Sequence, residues 1–127
     1  MYNKIKILLI EDNLDIIEIV KAKARKIPDI ELVVGSNTLD FLDNVNRKNF
    51  DIILCDINLD FEGEGLVIVE LFQRMDINAE IIAFTGSMHL TKEYLLNAGF
   101  SDVYYKNFKV IDHLFEKHIP ELLNIYV

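Results

Sequence analysis

The sequence predicts an α/β fold with a parallel sheet covered by helices on both faces, and three observations carry that prediction. Short runs rich in Ile, Val, Leu or aromatic residues recur at Ile5 to Ile10, Ile30 to Val34, Asp51 to Cys55, Glu80 to Phe84 and Asp102 to Tyr105, giving five candidate strands. Helix-length segments lie between them, with apolar residues spaced by three and four, as in Leu39, Leu42, Val45 and Leu66, Val69, Phe72. The runs Ile7 to Ile10 and Ile52 to Leu54 lack polar alternation, as strands buried on both faces do. Strand and helix in strict alternation make a series of βαβ units, whose strands run parallel.

The first strand, Ile5 to Ile10, is followed at once by Glu11, Asp12 and Asn13, and a helix is predicted from Asn13 to Lys26. On it Ile16, Ile17, Ile19, Val20 and Ala24 form one stripe at about 100° per residue, while Leu14 falls off the stripe near the acids. Further helices are predicted over Thr38 to Asn46, Gly65 to Met75 and His89 to Asn97, with a last one starting at Phe108. Pro28 lies near the end of the first helix. Pro120 falls inside the last helical pattern and predicts a break or kink around Ile119, because proline offers no N–H to the helix.

The 127 residues are 51% hydrophobic and contain no linker, repeat or low-complexity segment, so a single domain is expected over residues 1–127. With 13 basic and 21 acidic residues the net charge is -8, which argues against nucleic-acid or anionic-membrane binding driven by charge neutralisation. The lone Cys55 cannot form an internal disulfide and reads as a small buried hydrophobe. The opening "MYNKIKILLIEDN" is too short in its apolar run for a signal peptide or a membrane span, and a cytoplasmic protein is expected. His89, His113 and His118 read as surface or packed residues, and zinc is disfavoured because no His or Cys cluster exists.

Ligands of open parallel sheets bind outside the carboxyl ends of the strands. Those ends carry Glu11 and Asp12 after the first strand, Asp56 after the third, Thr85 after the fourth and Lys106 after the fifth. Each has an ordinary reading: Asp12 or Asn13 as a helix cap, Thr85-Gly86 as a turn, Lys106 as a solvated charge. Jointly they predict chemistry. Three carboxylates on one edge repel unless protonated or neutralised by a cation, and oxygen donors suit a hard ion such as Mg²⁺, which keeps waters that a phosphate can replace. A carboxylate held in this way can attack phosphorus, with Lys106 and the Thr85 hydroxyl stabilising the transferring oxygens. Asp56 is therefore the expected phosphate acceptor.

At these residues the chain resembles the receiver domain of two-component response regulators, over essentially its whole length. The acidic pair Glu11-Asp12, the strand-end Asp56, Thr85 before Gly86, and Lys106 after "AGFSDVYY" stand in the order and approximate spacing of that family. The resemblance implies a flavodoxin-like doubly wound fold with strand order 2-1-3-4-5. It implies phosphorylation of Asp56 by a histidine kinase or histidine phosphotransfer protein, and Mg²⁺ held by Glu11, Asp12, Asp56 and the backbone carbonyl of Asn58. It also implies that Thr85 turns its hydroxyl toward the phosphoryl group and that Lys106 pairs with it. The chain would be no enzyme but a phosphoacceptor that assists its own phosphorylation and dephosphorylation. Output would pass to a protein target or a homodimer through the face of the fourth helix, fifth strand and fifth helix, here including His89 to Asn97, Tyr104 and Phe108 to His118. The start of the first helix, with Leu14, would dock the phosphodonor.

Three departures from the family pattern stand out. Asp60 replaces the proline usual beyond the acceptor, within the acid-rich "LDFEGEG", where Asp60, Glu62 and Glu64 are expected to reshape the loop and disfavour an anionic donor. Asn107 replaces the proline after the lysine, so a trans Lys106-Asn107 bond is expected. Val103 occupies the place of the switch aromatic, with Tyr105 on the same strand face as a substitute. Other readings stay open: a phosphorylation-independent receiver-like interaction module, an aspartate-dependent phosphohydrolase, which would need an acid where Asn58 stands, and a flavin-binding relative, whose phosphate the "EDN" loop would repel.

Overall fold

The computed structural model describes residues 4–86 and 89–121, so residues 1–3, 87–88 and 122–127 of the predicted domain lie outside the described residues. Five strands, β1 (Ile5–Ile10), β2 (Ile30–Gly35), β3 (Ile52–Cys55), β4 (Glu80–Thr85) and β5 (Asp102–Tyr105), form one parallel sheet in the order β2-β1-β3-β4-β5. Between them run α1 (Leu14–Arg25), α2 (Thr38–Arg47), α3 (Glu64–Arg74) and α4 (Lys92–Ala98), and α5 (Phe108–His113) follows β5. The doubly wound α/β architecture expected from the sequence is the one observed.

Strand pleating sorts the core into two layers. Ile7, Leu9, Leu54, Ile82 and Phe84 point to one face, where Val20 and Ala24 of α1 and Ile111 of α5 cover them. Leu8, Ile10, Ile53, Cys55 and Ala83 point to the other, beneath Phe41 of α2, Ile68 and Phe72 of α3, and Leu95 of α4. Each aliphatic side chain taken fully out of water here contributes about 1.5–3 kcal/mol. Cys55 is wholly buried, and burial drives its thiol far above the ordinary range, so it behaves as the hydrophobe expected.

Capping explains the helix ends. Asn13 caps α1, its side chain accepting the N–H groups of Asp15 at 2.9 Å and Ile16 at 3.1 Å, which leaves Asp12 free of capping duty. Thr91 caps α4 through the Tyr94 N–H at 3.1 Å, so that helix begins at Lys92 and not at His89 as the periodicity predicted. Asn107 caps α5 through the Val110 N–H at 2.9 Å, and no cis peptide bond occurs among the described residues, so the Lys106-Asn107 bond is trans as expected.

Among the described residues the chain stays helical through Pro120, and the irregularity expected around Ile119 lies just before it. There α5 continues into a π-helical turn, Leu114–His118, in which the Ile119 N–H reaches back to the Leu114 carbonyl. The wider turn accommodates a residue that has no N–H and whose ring crowds the preceding turn.

One glycine fixes how α3 meets the acceptor strand. A Cβ on Gly65 would stand 2.1 Å from the Asp56 carbonyl oxygen and 2.7 Å from Ile57 Cα, while the Gly65 N–H donates to the Ile57 carbonyl at 2.8 Å. Gly65→Ala is expected to lower the unfolding free energy by about 1–3 kcal/mol through overpacking against backbone, read from urea denaturation. A midpoint equal to that of the wild type would show that α3 can move aside freely.

Candidate functional site

Parallel pairing of β1 with β3 sets Ile10 beside Cys55, so the residues that follow each strand emerge together at the carboxyl edge. Backbone bonds carry the order one step further: Asp56 N–H donates to the Ile10 carbonyl at 3.0 Å and Glu11 N–H to the Gly35 carbonyl at 2.9 Å. The outcome is that Glu11, Asp12 and Asp56 each bring one carboxylate oxygen within 4.8 Å of the others. Glu11 is fully buried, Asp56 is 6% exposed and Asp12 is exposed, so the group has a covered side and an open one.

Lys106 completes the group from the far side of the sheet. Its N–H donates to the Thr85 carbonyl at 2.8 Å, extending the β4–β5 ladder, and its ammonium lies 5.6 Å from the centre of the Phe84 ring. From there it meets Asp56 Oδ2 at 2.9 Å and Glu11 Oε1 at 2.5 Å, an ion pair with each. The remaining oxygens are held by backbone: Asp56 Oδ1 accepts the Ile57 N–H at 2.7 Å, and Glu11 Oε2 accepts those of Asp12 at 3.1 Å and Asn13 at 3.2 Å.

Burial pushes the Glu11 carboxyl up to about 7, against the pull of the Lys106 ammonium and with reinforcement from the neighbouring Asp56 charge. For Lys106 the balance is reversed: burial lowers it, but hydrogen bonds and attraction from Glu11 and Asp56 outweigh burial and raise it. One ammonium therefore faces three acids, and the edge carries an excess of negative potential. An all-oxygen donor set with an open side fits a hard divalent cation such as Mg²⁺, and nothing in it favours a softer metal.

The other predicted residues fall where the topology puts them. Thr85 is buried at the end of β4, the strand between those that carry Asp56 and Lys106. Asn58 is exposed two residues beyond Asp56, and its side-chain oxygen accepts the Gly63 N–H at 2.9 Å; the ligand role expected of this residue falls to its backbone carbonyl.

Two expectations about side chains are corrected. Tyr104 does not contribute to an exposed output face: it is 8% exposed, packs with α5 and places its hydroxyl 3.1 Å from His118 Nδ1, and burial pushes that hydroxyl up to about 12. Glu64, grouped with Asp60 and Glu62 as a loop charge repelling anions, is instead a buried clamp. Its Oε2 accepts the N–H and hydroxyl of Thr38, both at 2.7 Å, and its Oε1 accepts the Asp60 N–H at 2.9 Å. Burial alone would raise its carboxyl; these bonds outweigh it and hold the group below the usual carboxylate range. The signal for this role is present but faint: Thr38 opens a helix whose first N–H groups need an acceptor, and the Asn37 side-chain oxygen accepts from the Asp40 N–H, leaving Thr38 to another partner.

Comparison with known proteins points the same way. No curated protein matches the chain. Among solved structures, a CheY-like response regulator receiver domain protein from Methanospirillum hungatei JF-1 superposes with a TM-score of 0.78 at 23% identity, covering 98% of this chain and 97% of that one. The response regulator protein TrrA from Thermotoga maritima, solved in complex with Mg(2+)-BeF, gives a TM-score of 0.74 at 20% identity over 97% of this chain and 99% of that one. At such identities the likeness is one of fold. The sequence model of the response regulator receiver domain matches residues 7–117, a span that takes in the whole acidic edge from Glu11 to Lys106. A match of that extent settles the question the strand ends raised: the chain belongs to the family of response regulator receiver domains.

Proposed function

We propose that this receiver domain accepts a phosphoryl group on Asp56 from a histidine kinase or histidine phosphotransfer protein, with Mg²⁺ bound, as a cytoplasmic component of a phosphorelay. The observation that carries the reading is the convergence of Glu11, Asp12 and Asp56 within 4.8 Å, with the Lys106 ammonium 2.9 Å from the acceptor oxygen. Glu11, Asp12, Asp56 and the Asn58 carbonyl are the residues that would hold the ion. When bound, Mg²⁺ neutralises charge on the phosphoryl oxygens.

The chain's own residues do the rest. An Asp56 carboxylate oxygen attacks phosphorus as the P–N bond to the donor imidazole breaks; the imidazole nitrogen keeps the electron pair and later takes a proton from solvent. Lys106, already fixed on Asp56 by two backbone-anchored strands, follows the developing negative charge with little reorganisation. The Thr85 hydroxyl supplies a further donor from the adjoining strand. Reversal by water returns inorganic phosphate and the free carboxylate, so the domain serves as a stoichiometric acceptor that assists its own phosphorylation and dephosphorylation, with no turnover of a separate substrate. Output passes to a protein target or a second copy through α4, β5 and α5, where Tyr94 and Leu96 are exposed.

A second reading, a phosphorylation-independent interaction module, draws on one observation. Tyr105 shares its strand face with Val103, and its hydroxyl donates to the Leu90 carbonyl at 2.8 Å, tying the segment before α4 to β5 without reference to Asp56. Beryllofluoride with Mg²⁺ separates the two. Phosphoacceptance predicts saturable amide shift changes around Asp56 and Thr85 that need both reagents and vanish on chelation. An unchanged spectrum favours the module.

A further inference from the structure

Two large apolar side chains stand in water on the segments that follow β2 and β3. Leu39 is 74% exposed in the first turn of α2, and Phe61 is 53% exposed in the loop between β3 and α3. Single exposed apolar residues are common, but these two rest on backbone that is stitched together. Asn37 Nδ2 donates to Asp60 Oδ2 at 3.2 Å, Thr38 and Asp60 share the Glu64 carboxylate, and the Glu64 N–H donates to the Phe61 carbonyl at 3.2 Å. Side chains held on a braced frame lose less freedom when covered than side chains on a free loop.

The surroundings specify what can cover them. Asp60 and Glu62 are exposed in the same loop and Asp12 and Asp15 are exposed across the edge, on a chain of net charge -8. A second copy would bring the same charge against itself, so the occupant is basic. Position narrows it further. A protein that delivers a phosphoryl group to Asp56, at the carboxyl end of β3, must sit over the loops around that strand end, and a standard interface covers about 800 Å² per partner.

We propose that Leu39 and Phe61 form a docking patch for the phosphodonor protein, which meets them with an apolar surface ringed by Lys and Arg. The proposal rests on the phosphoacceptor reading and adds to it a contact on the α2 side of the site.

The test compares a protein donor with a small one. The purified, autophosphorylated histidine kinases and phosphotransfer domains of the source organism are each mixed with the wild-type chain, and the fastest donor is carried forward. Leu39→Ser/Phe61→Ser and Glu62→Lys are then assayed with that donor and, in parallel, with acetyl phosphate and Mg²⁺. We expect the double variant to lose on the order of tenfold in second-order transfer rate from the protein donor. Glu62→Lys should weaken the salt dependence of that rate. The double variant should keep the wild-type rate with acetyl phosphate, and Glu62→Lys should not fall below it, since it removes an acid that repels an anionic donor. Undiminished transfer from the protein donor overturns the proposal. Equal losses with both reagents also overturn it, because the residues would then serve the loop and not the docking. A wild-type chain that acetyl phosphate labels but no protein donor does overturns the docking alone, whereas one that acetyl phosphate cannot label removes the phosphoacceptor reading beneath it.

Discussion

Incubated with Mg²⁺ and acetyl phosphate, the wild-type chain is expected to gain one phosphoryl mass, and Asp56→Asn to gain none. The reason lies in how the acceptor is held. Asp56 Oδ1 is occupied by the Ile57 N–H at 2.7 Å, which orients the carboxyl plane, while Oδ2 lies 2.9 Å from Lys106 among the other acids. The nucleophile is thus presented in one orientation toward the place where charge develops. A carboxamide at the same position keeps the shape but not the chemistry: its nitrogen lone pair is delocalised and its donors face an ammonium. Loss should therefore be complete, with the fold retained by circular dichroism. The added mass in the wild type should also be lost on treatment with hydroxylamine, as an acyl phosphate requires. Mass that persists in Asp56→Asn would place the phosphoryl group on another side chain and remove the assignment.

Much of this site was legible in the sequence because it depends on strand ends. Apolar runs locate strands, a parallel sheet gathers their carboxyl ends, and so Glu11, Asp12, Asp56, Thr85 and Lys106 group together on sequence alone. The edges of β1 and β5 match the apolar runs residue for residue. Features set by side-chain geometry were not legible in the same way. Periodicity carried α4 back to His89, but the Thr91 side chain starts it at Lys92, since a cap stops a helix that the apolar spacing would allow to continue. Tyr104 and Tyr105 are adjacent and chemically identical, yet pleating sends one under α5 and the other toward Leu90. The direct contact of Lys106 with Glu11 was likewise unforeseen, because it needs the lysine to cross two intervening strands.

The loop after the acceptor shows the same limit and yields the second large effect. Glu64→Ala is expected to lower stability by about 2–4 kcal/mol, since it removes the carboxylate that bonds to both the Thr38 and the Asp60 N–H groups, and charge-assisted bonds each contribute about 1.5–3 kcal/mol before the remaining donors recover water. Glu64→Gln separates charge from shape: the amide fills the same space but turns an NH₂ toward donors that need an acceptor, so it should recover little of the loss. The dependence on pH has a definite sign. Because the carboxyl sits below its ordinary value of 4.5 in the folded chain, the stabilisation is full above that pH and is lost as pH falls through the folded value. The gap between wild type and Glu64→Gln, measured by urea denaturation, should accordingly be wide at neutral pH and close in acid, where protonated Glu64 resembles glutamine. Other carboxylates titrate equally in both proteins and cancel in the difference. A gap that stays constant with pH would mean that the ionised carboxylate is not what binds the acceptor loop to α2, and the brace beneath Leu39 and Phe61 would have to lie elsewhere.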